Sequence, residues 1–288
     1  MLPTTKKLIY FASVVGLLAL LFSLRLVFSG RTILSQSFSL GPINIHYYGV
    51  IMALAVGCGF YLAIKRTQKY QVSTKQAEDL LLWLMVSGFV GARLYHVFSS
   101  FSYYWIHPAD IIKVWNGGLS IYGAVFGGLI VIWFFSKRYT LNAARLLDWL
   151  TPSLILGQII GRFGNLFNYE AFGYPTNWPW KMFVPWQFRP ENYAGFNFFH
   201  PWFLYEAIGN IIILMILIYI SRVRTNWASG WLFFSYLLLY NVLRFGLEFL
   251  RIDSTFVYGF RLNALVSLII AVVAGLALIK LKRNAQTT

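Results

Sequence analysis

Acidic side chains are scarce in this sequence: Asp and Glu together number 9 among 288 residues, and charged residues of both signs make up only 11%. Soluble domains carry about a quarter charged residues, so a water-soluble globule is excluded. Cysteine is rarer still. Cys58 is the only one, which rules out an internal disulfide and any scaffold built on one. The histidines His46, His96, His107 and His200 form no His-x-x-x-His pair and no Cys/His cluster, so neither a metal nor any other cofactor is expected. Neither a Gly-x-Ser-x-Gly elbow nor the Gly-Lys-Ser/Thr ending of a P-loop occurs, which argues against serine-hydrolase chemistry of that type and against a P-loop. Glycine shows no three-residue period, and aromatic residues reach 19%, so collagen and disorder are excluded.

What the chain has in quantity is long apolar runs. Eight of them, at about 8–28, 48–64, 79–98, 118–136, 145–166, 201–221, 230–250 and 262–281, read as membrane helices, since a helix needs roughly 20 apolar residues to cross the hydrocarbon. The expected fold class is an all-α polytopic membrane protein. A formal net charge of +15 would suit nucleic acid if the cations were gathered on one soluble face. They lie scattered between apolar runs instead, which points away from nucleic acid and toward anionic lipid.

Orientation follows from the loops, because Lys and Arg hold loops on the cytoplasmic side. Alternate loops hold fourteen cations, from Lys6 and Lys7 through Lys65, Arg66, Lys69, Lys75, Lys137, Arg138, Arg145, Arg222 and Arg224 to Lys280, Lys282 and Arg283; the intervening loops hold six. Both termini are therefore expected in the cytoplasm. The run at 8–28, preceded by two lysines, also resembles a secretory signal with Ser29 or Gly30 near a cleavage site. Its length favours a retained helix. Residues 1–30 are expected to form this N-terminal transmembrane helix, and 31–288 a membrane domain with an extracytoplasmic head at about 167–200.

Four arginines, Arg25, Arg93, Arg162 and Arg244, lie inside the apolar runs. Each needs a partner, a wet cavity or an escape to the interface, because an arginine deep in hydrocarbon costs at least about 2.5 to 3.5 kcal/mol. Arg25 stands near its helix end and is expected to snorkel. The other three fall in the outer portions of their spans, and they have company there. Tyr48 opens the second run from outside, Arg93 ends the third, and Asn116, Gly117, Gly118, Ser120, Tyr122 and Gly123 open the fourth. Arg162, Asn165, Asn168, Glu170 and Gly173 end the fifth, His200 and Glu206 open the sixth, and Arg244, Glu248 and Arg251 end the seventh. Six helix ends thus bring polar groups to one leaflet, which implies a buried polar cavity opening there.

Arg162, Asn165 and Asn168 recur every three residues, so they share a helix face, and Gly161 and Gly164 thin one side. Such donors suit a phosphodiester; the alternative is packing glycines with Arg162 paired to Glu170. Arg244 and Glu248 stand one turn apart with Arg251 beyond. A structural ion pair accounts for Glu248, which neutralises only one of the flanking arginines and leaves positive charge for an anion. The glycine-rich entry at 116–123 is either an anion-attracting helix start or a packing device. Tyr122 fits an interfacial anchor or a hydroxyl donor, and His200 a polar cap or a proton acceptor. The loop at about 167–200, with Trp178, Trp180, Trp186 and Phe196, is too apolar for a linker. It fits an interfacial head or an aromatic belt.

These residues together resemble the bacterial prolipoprotein diacylglyceryl transferase family. The resemblance rests on Gly161-Arg162-x-Gly164-Asn165-x-x-Asn168-x-Glu170-x-x-Gly173, supported by Tyr48-Gly49, Gly91-Ala92-Arg93, Gly117-Gly118-Leu119-Ser120, His200-Pro201 with Tyr205-Glu206, and Arg244 with Glu248 and Arg251. It covers about residues 40–281 and leaves the first run outside. It implies a seven-helix core plus one extra N-terminal helix, in the bacterial inner membrane. It also implies transfer of the diacylglyceryl group of phosphatidylglycerol to the lipobox cysteine thiol of a prolipoprotein signal peptide, releasing glycerol phosphate.

By the resemblance, Arg162, Arg244, Tyr122, His200 and Glu206 are the candidate catalytic residues, and Tyr48, Arg93, Asn165, Asn168, Glu170, Gly173, Glu248 and Arg251 the candidate substrate-binding ones. His200 and Glu206 stand as possible acceptors of the thiol proton. One departure is visible: the family often has a histidine, proposed as a base, where this chain has Tyr122. A phenol with a pKa near 10 is a poor base at neutral pH, so Tyr122 is expected to donate a hydrogen bond. The alternative function is a phospholipid-binding transporter or flippase, which would need polar residues through the inner half of the bundle; Asp148 and Gln158 are the few there.

Overall fold

The computed structural model describes residues 15, 16, 19, 21–223 and 228–284. Among them the chain is mostly helical, with seven long helices: α1 (Tyr47–Lys65), α2 (Thr74–Ser99), α3 (Ile121–Arg138), α4 (Ala143–Asn168), α5 (Trp202–Val223), α6 (Trp231–Glu248) and α7 (Leu262–Asn284). Each overlaps one of the apolar runs. The end of the first run, residues 21–28, is helical too. Most of the rest of that run, with Lys6 and Lys7, lies outside the described residues, as does Arg224.

Five of the seven, α1, α2, α3, α5 and α7, are long and apolar enough to cross a membrane. The exceptions are α4 and α6, and composition is the reason. Arg145, Asp148, Gln158, Arg162 and Asn165 lower the hydropathy of α4, and Asn241, Arg244 and Glu248 that of α6. These two helices carry Arg162 and Arg244, two of the four arginines that the sequence singled out.

Chain contacts divide the protein into two compact units, the first made of Met1–Ala55, Gly157–Ile213 and Leu238–Val273. Its core gathers Val27, Leu166, Tyr169, Phe172, Met182, Val184, Phe199 and Phe203. Helix α4 stops at Asn168 because Tyr169 turns into the left-handed region at φ 50. The Tyr169 hydroxyl then accepts the Leu34 amide at 2.7 Å. The following segment folds back through a short antiparallel pair, β3 (Met182–Phe183) with β4 (Phe198–Phe199), as a packed head. Two hairpins flank it in sequence: β1 (Ser37–Leu40) with β2 (Ile43–His46), and β5 (Phe256–Val257) with β6 (Phe260–Arg261). The second turns at Tyr258 and Gly259, both with positive φ, the geometry of a tight two-residue hairpin loop.

The second unit comprises Val56–Leu156, Leu214–Leu237 and Ala274–Thr288. Ala63, Leu80, Leu81, Ile132, Phe135, Leu146 and Trp149 form its core, and the Trp149 indole donates to the Ala63 carbonyl at 2.8 Å. Helices α2 and α3 touch backbone to backbone: a Cβ on Gly91 would strike the Gly123 carbonyl, and one on Gly123 the Gly91 carbonyl. At Gly123 the packing alternative is therefore the one realised. Asp148 accepts the backbone amides of Gly230 at 2.7 Å and Phe233 at 2.8 Å, capping the start of α6 from another helix. Cys58 is exposed on α1.

Candidate active site

Glu206, on the second turn of α5, is fully buried and engaged on both oxygens. Its Oε1 accepts from Arg162 Nη2 of α4 at 2.6 Å and from the Tyr240 hydroxyl of α6 at 2.9 Å, while Oε2 accepts from Arg244 Nη1 at 3.4 Å. One carboxylate thus joins three helices. Arg244 also faces Glu248, Nη2 to Oε2 at 3.3 Å, and Asn263 of α7 donates to the other Glu248 oxygen at 3.1 Å. The i,i+4 pair expected on α6 is present, inside a larger network.

Trp202 is the platform. Its indole N–H donates to the Leu247 carbonyl at 2.7 Å, which fixes the ring. Around that ring stand three guanidinium carbons, of Arg162 at 5.6 Å, Arg244 at 4.5 Å and Arg251 at 5.1 Å. An aromatic face attracts cations, so one buried indole gathers charges from α4, α6 and the segment after α6. The side chains of Glu206 and Glu248 are 0% accessible, whereas those of Arg162 and Arg244 are 26% and 13% accessible. The arginines are thus the more accessible partners of the network.

Of the two readings of the α4 motif, the one that pairs Arg162 with Glu170 is not realised. The left-handed turn at Tyr169 swings Glu170 back over the helix end, where its amide donates to the Asn165 carbonyl at 3.1 Å. Its Oε1 accepts from Asn165 Nδ2 at 2.9 Å and Asn168 Nδ2 at 3.3 Å. Nor is Arg251 left without a counter-charge, because Asp253, two residues on, accepts both from its Nε and from its Nη2. Arg162, Arg244 and Arg251 therefore face Glu206, Glu248 and Asp253.

The rest of the α4 motif supports this cluster. A Cβ on Gly164 would meet the Tyr48 ring at 2.7 Å, so Tyr48 is what the small residue admits. Gly173 donates to the His200 carbonyl at 2.8 Å and bridges Arg251; a Cβ there would meet the Leu250 carbonyl, which makes glycine the fitting residue. His200 Nδ1 lies 2.9 Å from the Tyr205 hydroxyl, which accepts the Trp180 indole N–H at 2.7 Å. Burial lowers the pKa of His200 below its usual value.

Arg93 and Tyr122 belong to the second unit. Arg93 is buried and hydrogen-bonded to backbone: Nε donates to the Ile111 carbonyl at 2.8 Å, Nη1 to Gly117 at 2.7 Å and Gly118 at 2.9 Å, and Nη2 to Asp110 at 2.5 Å. It ties down the loop before α3. Gly117 and Gly118 take positive φ there. Tyr122, on the first turn of α3, is 53% exposed, its ring 5.9 Å from that of Tyr95.

Sequence reasoning passed over Trp202, Tyr240 and Asp253. Tyr240 lies one turn before Arg244 and Asp253 two residues after Arg251, so spacing held a signal for both. Trp202 carried none beyond following His200-Pro201.

Known proteins resemble this chain over most of its length. A family model described as prolipoprotein diacylglyceryl transferase matches residues 35–280. A protein of Trichormus variabilis, named phosphatidylglycerol–prolipoprotein diacylglyceryl transferase, is 40% identical over 251 residues, covering 85% of this chain and 89% of its own. A protein of the same name from Fervidobacterium nodosum is 39% identical over 255 residues, covering 88% and 87%. One from Thermosynechococcus vestitus is 37% identical over 230 residues, covering 80% and 86%.

Proposed function

This chain belongs to the prolipoprotein diacylglyceryl transferase family, and from that premise we propose that it moves the diacylglyceryl group of phosphatidylglycerol onto the lipobox cysteine thiol of a prolipoprotein. A thioether forms and glycerol phosphate leaves. The observation that carries this is the pair Arg162 and Arg244, held on one buried carboxylate with their side chains more accessible than the acid they share. An incoming phosphodiester meets N–H groups first, and charge-assisted bonds to a phosphate are the strong kind.

The cysteine thiolate attacks the glyceryl carbon that bears the phosphate. The C–S bond forms as the C–O bond breaks, and the electron pair departs on the phosphate oxygen. Arg162 and Arg244 stabilise the charge that develops on that oxygen. The same positive edge favours ionisation of a thiol whose ordinary pKa is about 8.5. Glu206, with both oxygens engaged by donors, holds the two guanidiniums in place. Asn165, Asn168 and Glu170 shape the neighbouring helix end, Tyr48 and Gly173 wall it, and Glu248 and Arg251 brace Arg244 and Trp202. Tyr122 is a hydrogen-bond donor in place of the histidine common in the family. Arg93 positions the glycine loop.

We place the enzyme in the bacterial inner membrane with both termini cytoplasmic and the site facing the outer leaflet. Alternate loops rich in Lys and Arg support this. The seven long helices form the core, residues 1–30 an additional transmembrane helix, and the segment at about 167–200 an extracytoplasmic head. The exposed Trp178, Trp186 and Phe196 support an interfacial position for that head. A flippase reading has less behind it: Asp148, one of the few polar residues available for a path across, is engaged in capping α6.

The test is transfer of labelled lipid from phosphatidylglycerol to a synthetic lipobox peptide. Arg162→Ala and Arg244→Ala should remain membrane-inserted and each lose at least about 100-fold in rate, the scale expected for removing a donor to a developing anion. Wild-type rates in both variants would refute the assignment. Phospholipid translocation without thioether product would favour the transporter.

A further inference from the structure

Tyr205, beside Glu206 on α5, touches two ring nitrogens. An indole N–H only donates, so the 2.7 Å contact from Trp180 Nε1 makes the Tyr205 oxygen an acceptor. The hydroxyl proton is then left to donate, and His200 Nδ1 stands 2.9 Å away. In this order every donor meets an acceptor. The reverse order, with Nδ1–H donating to Tyr205, aims two donors at one phenolic oxygen whose lone-pair density is partly drawn into its ring. His200 is pinned by its backbone, donating to the Tyr174 carbonyl at 3.1 Å and accepting from Gly173 and Trp202, both at 2.8 Å. The edge of Trp178 packs on its imidazole with centroids 5.5 Å apart. Tyr205 is the titratable side chain hydrogen-bonded to that imidazole among the described residues.

We infer that Trp180, acting through Tyr205, holds His200 in the neutral tautomer that carries its proton on Nε2. His200 thus presents an N–H donor to an oxygen of the phospholipid headgroup, and is not the acceptor of the thiol proton. Trp180 and Tyr205 are positioning residues. The free nitrogen of a neutral imidazole is a base only when it bears a lone pair, and here the lone pair belongs to Nδ1, which Tyr205 occupies. Burial, which keeps His200 neutral, agrees with this order. The lipid-facing part of the inference rests on the transfer activity proposed above; the tautomer does not.

Nitrogen-15 spectra of the full-length, histidine-labelled protein in phosphatidylglycerol-free nanodiscs at pH 7, with His200 assigned by its loss in His200→Gln, should show Nε2 protonated and Nδ1 bare. Trp180→Phe and Tyr205→Phe should each mix the tautomers. A wild-type Nδ1–H signal, or an unchanged tautomer in both variants, would overturn the inference. Adding phosphatidylglycerol should shift Nε2, whereas phosphatidylcholine should not; an unresponsive Nε2 would remove the donor role. In the transfer assay His200→Gln, which donates but cannot act as a base, should stay within about tenfold of wild type, and His200→Ala should fall further. Equal loss in both would also sink the donor role. The predicted tautomer in a protein that transfers nothing would refute the function and leave the hydrogen-bond order standing.

Discussion

Arg93 and Arg244 both stand within long helices, the first buried and the second partly so, yet they are satisfied in opposite ways. Arg93 donates to uncharged backbone carbonyls around the loop at 110–118. Arg244 faces two fully buried carboxylates and an indole face. Carbonyls satisfy N–H donors without cancelling charge, and four of them leave a guanidinium little freedom to meet anything else. Carboxylates cancel charge but leave the arginine side chains the more accessible partners. The first arrangement staples a loop; the second holds the two arginines that the proposed function assigns to the lipid phosphate. A buried arginine is thus a prompt to ask what answers it.

The largest effect expected on this contrast is at Glu206. Glu206→Ala leaves two partly buried guanidiniums without their shared acceptor, and should cost about 3 kcal/mol, the low end of the range for breaking one side of a buried ion pair. Tryptophan-fluorescence unfolding in detergent measures it, and an undiminished midpoint would show that the carboxylate does not hold the cluster. Arg93→Ala should come next, at about 2 to 3 kcal/mol, since hydrogen bonds to a charged group contribute about 1.5 to 3 kcal/mol each and the freed carbonyls regain some solvent. Its folded fraction should keep the wild-type KM for phosphatidylglycerol, while Arg162→Lys raises it. A raised KM in the Arg93 variant would erase the distinction drawn here.

The smallest effect should come from Asp253→Asn, below about 1 kcal/mol, because the carboxylate is exposed and such pairs contribute little. Burial raises the Asp253 pKa, but the hydrogen bond and charge of Arg251 outweigh it and hold the carboxyl below its usual 3.8. A depressed folded-state pKa means the pair's contribution is complete above 3.8 and fades only as pH falls below it. The gap between wild type and Asp253→Asn should therefore stay constant from pH 5 to 8. A gap that narrows across that interval would show that the carboxylate titrates near neutrality.

Much of this protein is legible without coordinates, and the pattern of misses is instructive. All seven long helices overlap apolar runs, because a helix that must satisfy its own backbone in hydrocarbon writes its length directly into composition. Arg162, Glu206, Arg244 and Glu248 were recognisable for a related reason: charge inside an apolar run stands out against its surroundings. Partnership was another matter. The sequence left Arg162 either to an anion or to Glu170, eight residues on, and it pairs with Glu206 on another helix. Asp253 and Tyr240 were within a few residues of recognised sites and went unread, since neither is unusual where it stands.

Local composition therefore determined which segments are apolar helices and which residues are too polar for them, since desolvation acts on each residue where it stands. Spacing allowed the pair of Arg244 with Glu248, but that Glu206 answers both Arg162 and Arg244 was decided by the tertiary structure. Helices α4, α5 and α6 converge on Trp202, and a hydrogen bond or ion pair depends on distances of a few ångströms between atoms far apart in the chain. The left-handed turn at Tyr169, which carries Glu170 away from Arg162, is the kind of event that one residue's backbone settles and no spacing rule anticipates.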